Sequence, residues 1–144
     1  MPLELKEHLI ADRGMPRCED VLLARAEHLG EADRGLIEAV FVRGQSVRSL
    51  AKLMRVDRRI LRRRIRGLCR HLSSRRFLDA TRALPYLAAE DAALARRHYC
   101  QGEPQAALAS EMGISLHAVR RRLSRVSAQI SLLARNRHHP GRAS

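Results

Sequence analysis

The sequence contains almost no aromatic side chains: tryptophan is absent, and only Phe41, Phe77, Tyr86 and Tyr99 are aromatic among 144 residues. A hydrophobic core must therefore be built from aliphatic residues, and that composition favours helices. Runs of alternating β-branched residues, the pattern of a half-buried strand, are also missing. These two absences argue against a β-rich domain and predict an all-α fold.

Cysteine is scarce as well. Cys18, Cys69 and Cys100 are odd in number and widely spaced, and no Cys-x-x-Cys pair occurs, so neither a disulfide framework nor a metal site is expected. Cys69 and Cys100 lie in apolar stretches and are predicted to fill the core. No segment is apolar for long enough to cross a membrane or to serve as a signal peptide. We expect a soluble cytoplasmic protein without a cofactor or a membrane partner.

Lysine is the third scarce residue, since Lys6 and Lys52 are the only lysines among 28 basic residues and all the others are arginines. Only 15 residues are acidic, which leaves a net charge of +13. Such an excess indicates a polyanionic partner, most commonly nucleic acid. A solvated basic surface, or the arginine usage of a GC-rich genome, would give the same total, so the placement of the arginines decides between these interpretations.

An internal repeat organises the chain. A shift of 58 residues lays residues 29–72 over residues 87–130 without a gap, and the apolar pattern and the glycines both match. Identical pairs include Leu29/Leu87, Asp33/Asp91, Gly44/Gly102, Leu50/Leu108, Ala51/Ala109, Met54/Met112, Arg62/Arg120, Arg63/Arg121 and Arg64/Arg122. The chain therefore contains one unit in two copies.

Each copy is predicted to hold three helices preceded by a fourth. The expected helices cover about residues 17–28, 31–42, 46–54 and 57–72, and then 74–84, 90–100, 104–112 and 115–132. Ser46, Asp57 and Ser115 are expected to cap helices, and Pro104 suits a first helical turn. The resulting domains are an N-terminal segment, 1–16, two units, 17–72 and 73–132, and a disordered basic tail, 133–144. The pair His138 and His139 is attributed to that tail and not to a metal site.

The last two helices of each copy match a helix-turn-helix, in which a short helix braces a second one that enters the DNA major groove. Ala51 supplies the small residue where the two helices cross. The turn favours a positive φ, which suits Gly113 and would cost Arg55 about 1 kcal/mol. Val56 and Ile114, which follow these residues, are expected to plug the core.

In the first long helix, an inward row of Leu61, Ile65, Leu68 and Leu72 leaves the arginines outside. Arginine grips guanine through two parallel hydrogen bonds, so the arginines nearest the start are predicted to read bases and the later ones to bind phosphates. The net charge is +8 for residues 29–72 but only +2 for residues 87–132, so the two copies are not expected to bind DNA equally strongly. The predicted DNA-binding residues are Ser46, Arg58, Arg59, Arg62, Arg63, Arg64, Arg66, Arg70, Leu116, His117, Arg120, Arg121, Arg122 and Arg125.

Both copies resemble region 4 of bacterial sigma factors, especially of the extracytoplasmic-function type. The second copy carries the resemblance best, in Gly102, in Leu108-Ala109, in Met112-Gly113-Ile114-Ser115 and in the stretch 119–126, VRRRLSRV. The resemblance implies a DNA-binding helix-turn-helix and, since region 4 also touches RNA polymerase, a possible polymerase contact. The 28 residues before the first repeat leave no room for a sigma region 2, so a regulator with two region-4-like modules is expected instead of a sigma factor.

No catalytic constellation is visible in the sequence, so a non-enzymatic, sequence-specific transcription regulator associated with the bacterial nucleoid is predicted. Double-stranded DNA is the expected partner, and the protein is expected to be a monomer or a homodimer. Two alternatives stay open: a sigma-like co-activator that binds RNA polymerase, and a DNA-binding accessory protein of a recombination or transposition system.

Overall fold

The computed structural model describes residues 19–138, and all regular structure within that range is helical, which confirms the all-α prediction. The chain divides between Ser74 and Arg75 into two compact units. Within the described range, no helix combines the length and the apolar character needed to cross a bilayer.

The described part of unit 1 consists of four helices, α1 (Glu19–Ala26), α2 (Glu31–Phe41), α3 (Val47–Met54) and α4 (Arg58–Ser73). Each contributes one apolar face to a shared interior, in which Ile37, Val47 and Ile65 are almost completely buried. The Arg25 side chain ties the first helix to the end of the last one, since its Nη1 donates to the Leu72 carbonyl oxygen at 3.2 Å. This packing fixes the orientation of α4 within the unit.

Unit 2 repeats the plan with α5 (Arg75–Ala83), a 3₁₀ turn (Leu84–Tyr86), α6 (Ala89–Ala95) extended by a π-helical segment (Arg96–Cys100), α7 (Gln105–Met112) and α8 (Leu116–His138). Phe77 on the first helix is the largest fully buried side chain of the described residues. The buried Tyr99 hydroxyl donates to the Leu123 carbonyl oxygen at 3.3 Å, which ties the π-helical segment to the long helix.

The repeat seen in the sequence extends to the helix boundaries, because α7 and α8 each begin 58 residues after α3 and α4. The predicted caps are confirmed: Ser46 Oγ accepts from the Ser49 N–H at 3.0 Å, Asp57 Oδ1 accepts from the Arg59 N–H at 2.7 Å, and Ser115 Oγ accepts from the Ala118 N–H at 3.1 Å. These bonds satisfy amides that a helix leaves without a partner in its first turn. Pro104 stands immediately before α7 and not inside it.

The turn between the last two helices of each unit is left-handed, as predicted. Arg55 has φ 57° and ψ 42°, and Gly113 has φ 67° and ψ 30°. A left-handed backbone crowds the Cβ of any residue other than glycine. The first unit therefore carries a local strain that the second one avoids.

We expect Arg55→Gly to stabilise unit 1 by roughly 0.5–1 kcal/mol, because it removes that strain at an exposed position. The opposite change in the other unit, Gly113→Ala, should destabilise unit 2 by about 1 kcal/mol because of its left-handed backbone, although nothing lies within 4 Å of the added Cβ. Urea unfolding followed by circular dichroism measures both. A destabilising Arg55→Gly would show that the arginine side chain makes a favourable contact that outweighs the strain.

The prediction that Val56 plugs the core is wrong. Its side chain is 42% exposed, because the turn, closed by the bond from the Val56 N–H to the Ala51 carbonyl oxygen (3.1 Å), leaves it at the surface. Ile114, its counterpart, is only half-buried. The inward row of α4 also differs in one position, since Leu68 is only half-buried, while the neighbouring Cys69 is buried.

Cys69 and Cys100 fill the core, as predicted, and their exposed fractions are 1% and 0%. Burial raises the pKa of the Cys69 thiol to about 12 and that of the Cys100 thiol to about 11. Neither is therefore a thiolate at neutral pH, which argues against a nucleophilic role. Cys18 lies outside the described residues.

The predicted disordered tail starts too early. Helix α8 continues to His138, six residues beyond the expected end at Leu132. The extension packs against α5: Arg137 Nη2 donates to the Arg82 carbonyl oxygen at 2.6 Å, and the Arg137 guanidinium lies 6.0 Å from the centre of the Tyr86 ring. Residues 139–144 and residues 1–18 lie outside the described range, as does the second histidine of the His138 and His139 pair.

Candidate nucleic-acid interface

Three consecutive arginines of α4 point in three directions, because each residue of a helix turns the side chain by about 100°. Arg62 is partly buried, and its Nε is shielded from solvent and has no hydrogen-bond partner. Arg63 is exposed. Arg64 reaches back to α2, where its Nε and Nη2 donate to Asp33 Oδ1 at 3.2 and 2.6 Å. Of the three, Arg63 alone is both solvent-facing and without an ion pair among the described residues.

The same division recurs in α8. Arg120 Nε donates to Gln105 Oε1 on α7 at 3.3 Å, and Arg122 Nη2 donates to Glu90 Oε2 on α6 at 3.2 Å, while Arg121 is exposed. In unit 2 the first and third arginines of the triplet thus brace the long helix against its neighbours, whereas in the described part of unit 1 only the third, Arg64, does so. Val47 stands in unit 1 at the position of Gln105 and offers no acceptor, which accounts for the unpartnered Nε of Arg62.

Four arginines form a continuous row on the solvent side of α4. Arg59, Arg63, Arg66 and Arg70 are spaced by four, three and four residues, the interval that keeps side chains on one helical face. Three of them are exposed and Arg66 is partly buried. The row, called here the arginine stripe, extends over about 16 Å of helix axis. It lies opposite the row of Leu61, Ile65 and Leu72 that faces the interior.

The corresponding face of α8 is almost uncharged. A shift of 58 residues places His117, Arg121, Ser124 and Ala128 where unit 1 has the arginine stripe, so one arginine replaces four. Arg125 adds a second exposed guanidinium beside this face, and with Arg121 it borders a shallow hollow whose apolar floor includes Ile114 and Ala118. The two units therefore present the same scaffold with very different electrostatics.

The remaining predicted site residues lie at helix starts. Arg58 is the first residue of α4 and is exposed, and Leu116 and His117 begin α8 and are exposed. The Ser46 hydroxyl accepts a hydrogen bond from the Ser49 amide, so in this structure Ser46 caps α3. The structure thus brings most of the unit 1 set together along α4.

Unit 2 also neutralises part of its charge internally. Arg97 Nε donates to Glu103 Oε2 at 2.6 Å, and its Nη2 pairs with Glu111 on α7. These hydrogen bonds raise the pKa of the Arg97 guanidinium above its ordinary value. In unit 1 the equivalent positions hold Ala39, Gln45 and Leu53, so no such network forms.

Sequence reasoning missed an exposed apolar group beside the arginines. Leu53, Met54, Val56 and Ile60, at the end of α3, in the turn and at the start of α4, are between 42% and 72% exposed. Ile60 was hidden from pattern analysis because it directly precedes Leu61, the first residue of the inward row. Its angular position would have revealed it, because a residue about 100° around the helix from the inward row does not face the core.

The described residues contain no group of three or more histidine, cysteine or carboxylate side chains that could hold a metal ion. The candidate interface is therefore formed by arginine and aliphatic side chains. Comparison with known proteins found no matching family model, no matching curated protein and no matching solved structure.

Proposed function

We propose that this chain is a non-enzymatic, sequence-specific DNA-binding protein that regulates transcription, with α4 as its principal reading helix. The arginine stripe is the observation that carries the proposal. It concentrates positive charge, which has no ion pair among the described residues, along one face of a helix whose opposite face is anchored in the core. A merely solvated basic surface would not require the arginines to share that face.

The dimensions and chemistry of α4 suit the DNA major groove. An α-helix with its side chains is about 10–12 Å across, and the groove is about 12 Å wide. Arg59 and Arg63, within the first two turns, are placed to reach base edges, since recognition helices read bases with their N-terminal residues. Arg66 and Arg70, further along the same face, are placed to bind phosphates.

Unit 2 has a secondary part in this proposal. It has the same helices, but its outward face carries one arginine in place of four, so it contributes less to affinity. Two such units suit a bipartite site with one half-site for each unit. A monomer suffices to occupy a site of this kind, and the protein would act in the bacterial cytoplasm, at the nucleoid.

A salt titration tests the proposal. If Arg66 and Arg70, the two arginines placed to bind phosphates, each neutralise one phosphate, the logarithm of the binding constant should fall against the logarithm of salt concentration with a slope of about −2 from this helix alone. Fluorescence anisotropy with a labelled duplex measures the slope. A slope near zero would contradict the proposal, because binding would then not involve phosphate neutralisation.

RNA polymerase binding is the second candidate function, and the weakly charged face of α8 favours it. Leu132, on the same side of α8 as Arg121, is 59% exposed although it is apolar. Affinity capture of core RNA polymerase by the full-length protein tests this function. Polymerase recovery that persists in a variant unable to bind DNA, and disappears in Leu132→Asp, would favour the second candidate over the first.

A further inference from the structure

We infer that Ile60 is a specificity-determining residue that contacts the C5-methyl group of a thymine in the major groove. The inference rests on the proposed function, since it assigns a base to the helix that the function places in DNA. The third residue of α4 is an isoleucine whose side chain is 63% exposed, which is unusual for an apolar residue of this size.

Ile60 has no structural reason to be apolar. The inward row of α4 begins one residue later, at Leu61, which is only 2% exposed. Ile60 lies about 100° away from that row and about 60° from Arg63 on the helix surface. Its side chain therefore lies at the edge of the outward face, in the first turn, nearer to Arg63 than to Arg59.

The chemistry of the groove gives this position a partner. Thymine is the only base that presents a methyl group in the major groove, and aliphatic side chains recognise it by apolar contact. The flanking Arg59 and Arg63 have the geometry to bind guanine O6 and N7. An isoleucine beside Arg63 thus predicts a bound sequence in which a thymine lies next to the guanine that this arginine reads.

The surrounding charge favours DNA over protein as the partner of Ile60. A second copy of the chain that docked on the exposed group of Leu53, Met54, Val56 and Ile60 would bring two arginine stripes close together, and like charges repel. A DNA duplex carries the opposite charge. In unit 2 the equivalent residue is Ala118, which is smaller and half-buried, so the contact is specific to unit 1.

Replacing thymine by deoxyuridine removes only the methyl group and gives a direct test. The probe is the duplex that the full-length protein selects from a random library, remade with each thymine in turn changed to deoxyuridine. At one thymine, wild-type affinity should fall about fourfold, the value of one buried methyl group. Ile60→Ala should bind the unmodified duplex about as weakly as wild type binds that deoxyuridine duplex, and should show no further loss on it.

Leu53→Ala is the matched control, because Leu53 is also exposed and aliphatic but lies on α3; it should keep the wild-type response to deoxyuridine. Ile60→Val should restore part of the response. Equal sensitivity of wild type and Ile60→Ala at every thymine, or a selected site without thymine, would overturn the inference while the proposed function stands. Selection that enriches no sequence would overturn both. A wild-type dimer that Ile60→Ala converts to monomers, without any deoxyuridine effect, would assign the residue to self-association instead.

Discussion

The double variant Arg59→Ala/Arg63→Ala should lose at least thirtyfold in affinity for the selected DNA, on the basis of about 1–3 kcal/mol for each arginine that grips a base. Both side chains are exposed and belong to the arginine stripe, so their removal takes away contacts with DNA without opening a cavity in the core. If either also contacts a phosphate, the salt slope should become shallower by about one for each contact. Anisotropy titrations at several salt concentrations measure both effects.

The repeat supplies the matched control for this experiment. His117→Ala/Arg121→Ala alters the two equivalent residues of α8 and should reduce affinity less than tenfold, because this face carries one arginine in place of four. Arg64→Ala offers a second comparison, since it removes an arginine of α4 that is paired with Asp33 and points away from the stripe. Equal losses in the two double variants would show that both units read DNA to the same extent, against the asymmetry proposed.

The helices themselves were largely predictable, because their signals are local. Ser46, Asp57 and Ser115 cap helices as their side-chain chemistry dictates, and the left-handed turn at Arg55 follows from its alignment with Gly113. The end of α8 was not predictable in this way. Its last turns are held by a tertiary contact, from Arg137 to the Arg82 carbonyl oxygen, between residues 55 positions apart in the chain.

The candidate site was harder to predict than the helices, since helical period separates inside from outside but does not show which outward side chains already have partners. All three arginines of each triplet were assigned to DNA. In the structure Arg64 donates a hydrogen bond to Asp33, Arg120 donates one to Gln105 and Arg122 donates one to Glu90. These acceptors lie 15 to 32 residues away in sequence. Pairing of this kind depends on how helices pack. Among the described residues it leaves Arg63 and Arg121 exposed without such a bond, while Arg62 is partly buried with an unpartnered Nε.

Phe77→Ala should destabilise unit 2 by about 3–5 kcal/mol, the range for truncating a buried phenylalanine. Phe77 is fully buried on α5, in a core otherwise built mostly from smaller aliphatic residues, so neighbouring side chains are poorly able to close the cavity. For a unit of this size the unfolding temperature should fall by at least about 12 °C.

Tyr86→Ala is the control, because this aromatic residue of the same unit is 70% exposed and its loss should cost less than about 1 kcal/mol. Urea and thermal unfolding followed by circular dichroism distinguish the two variants. Similar small losses in both would mean that α5 does not belong to the stable core of unit 2, and that the repeated segment, residues 87–130, folds without the helix that precedes it.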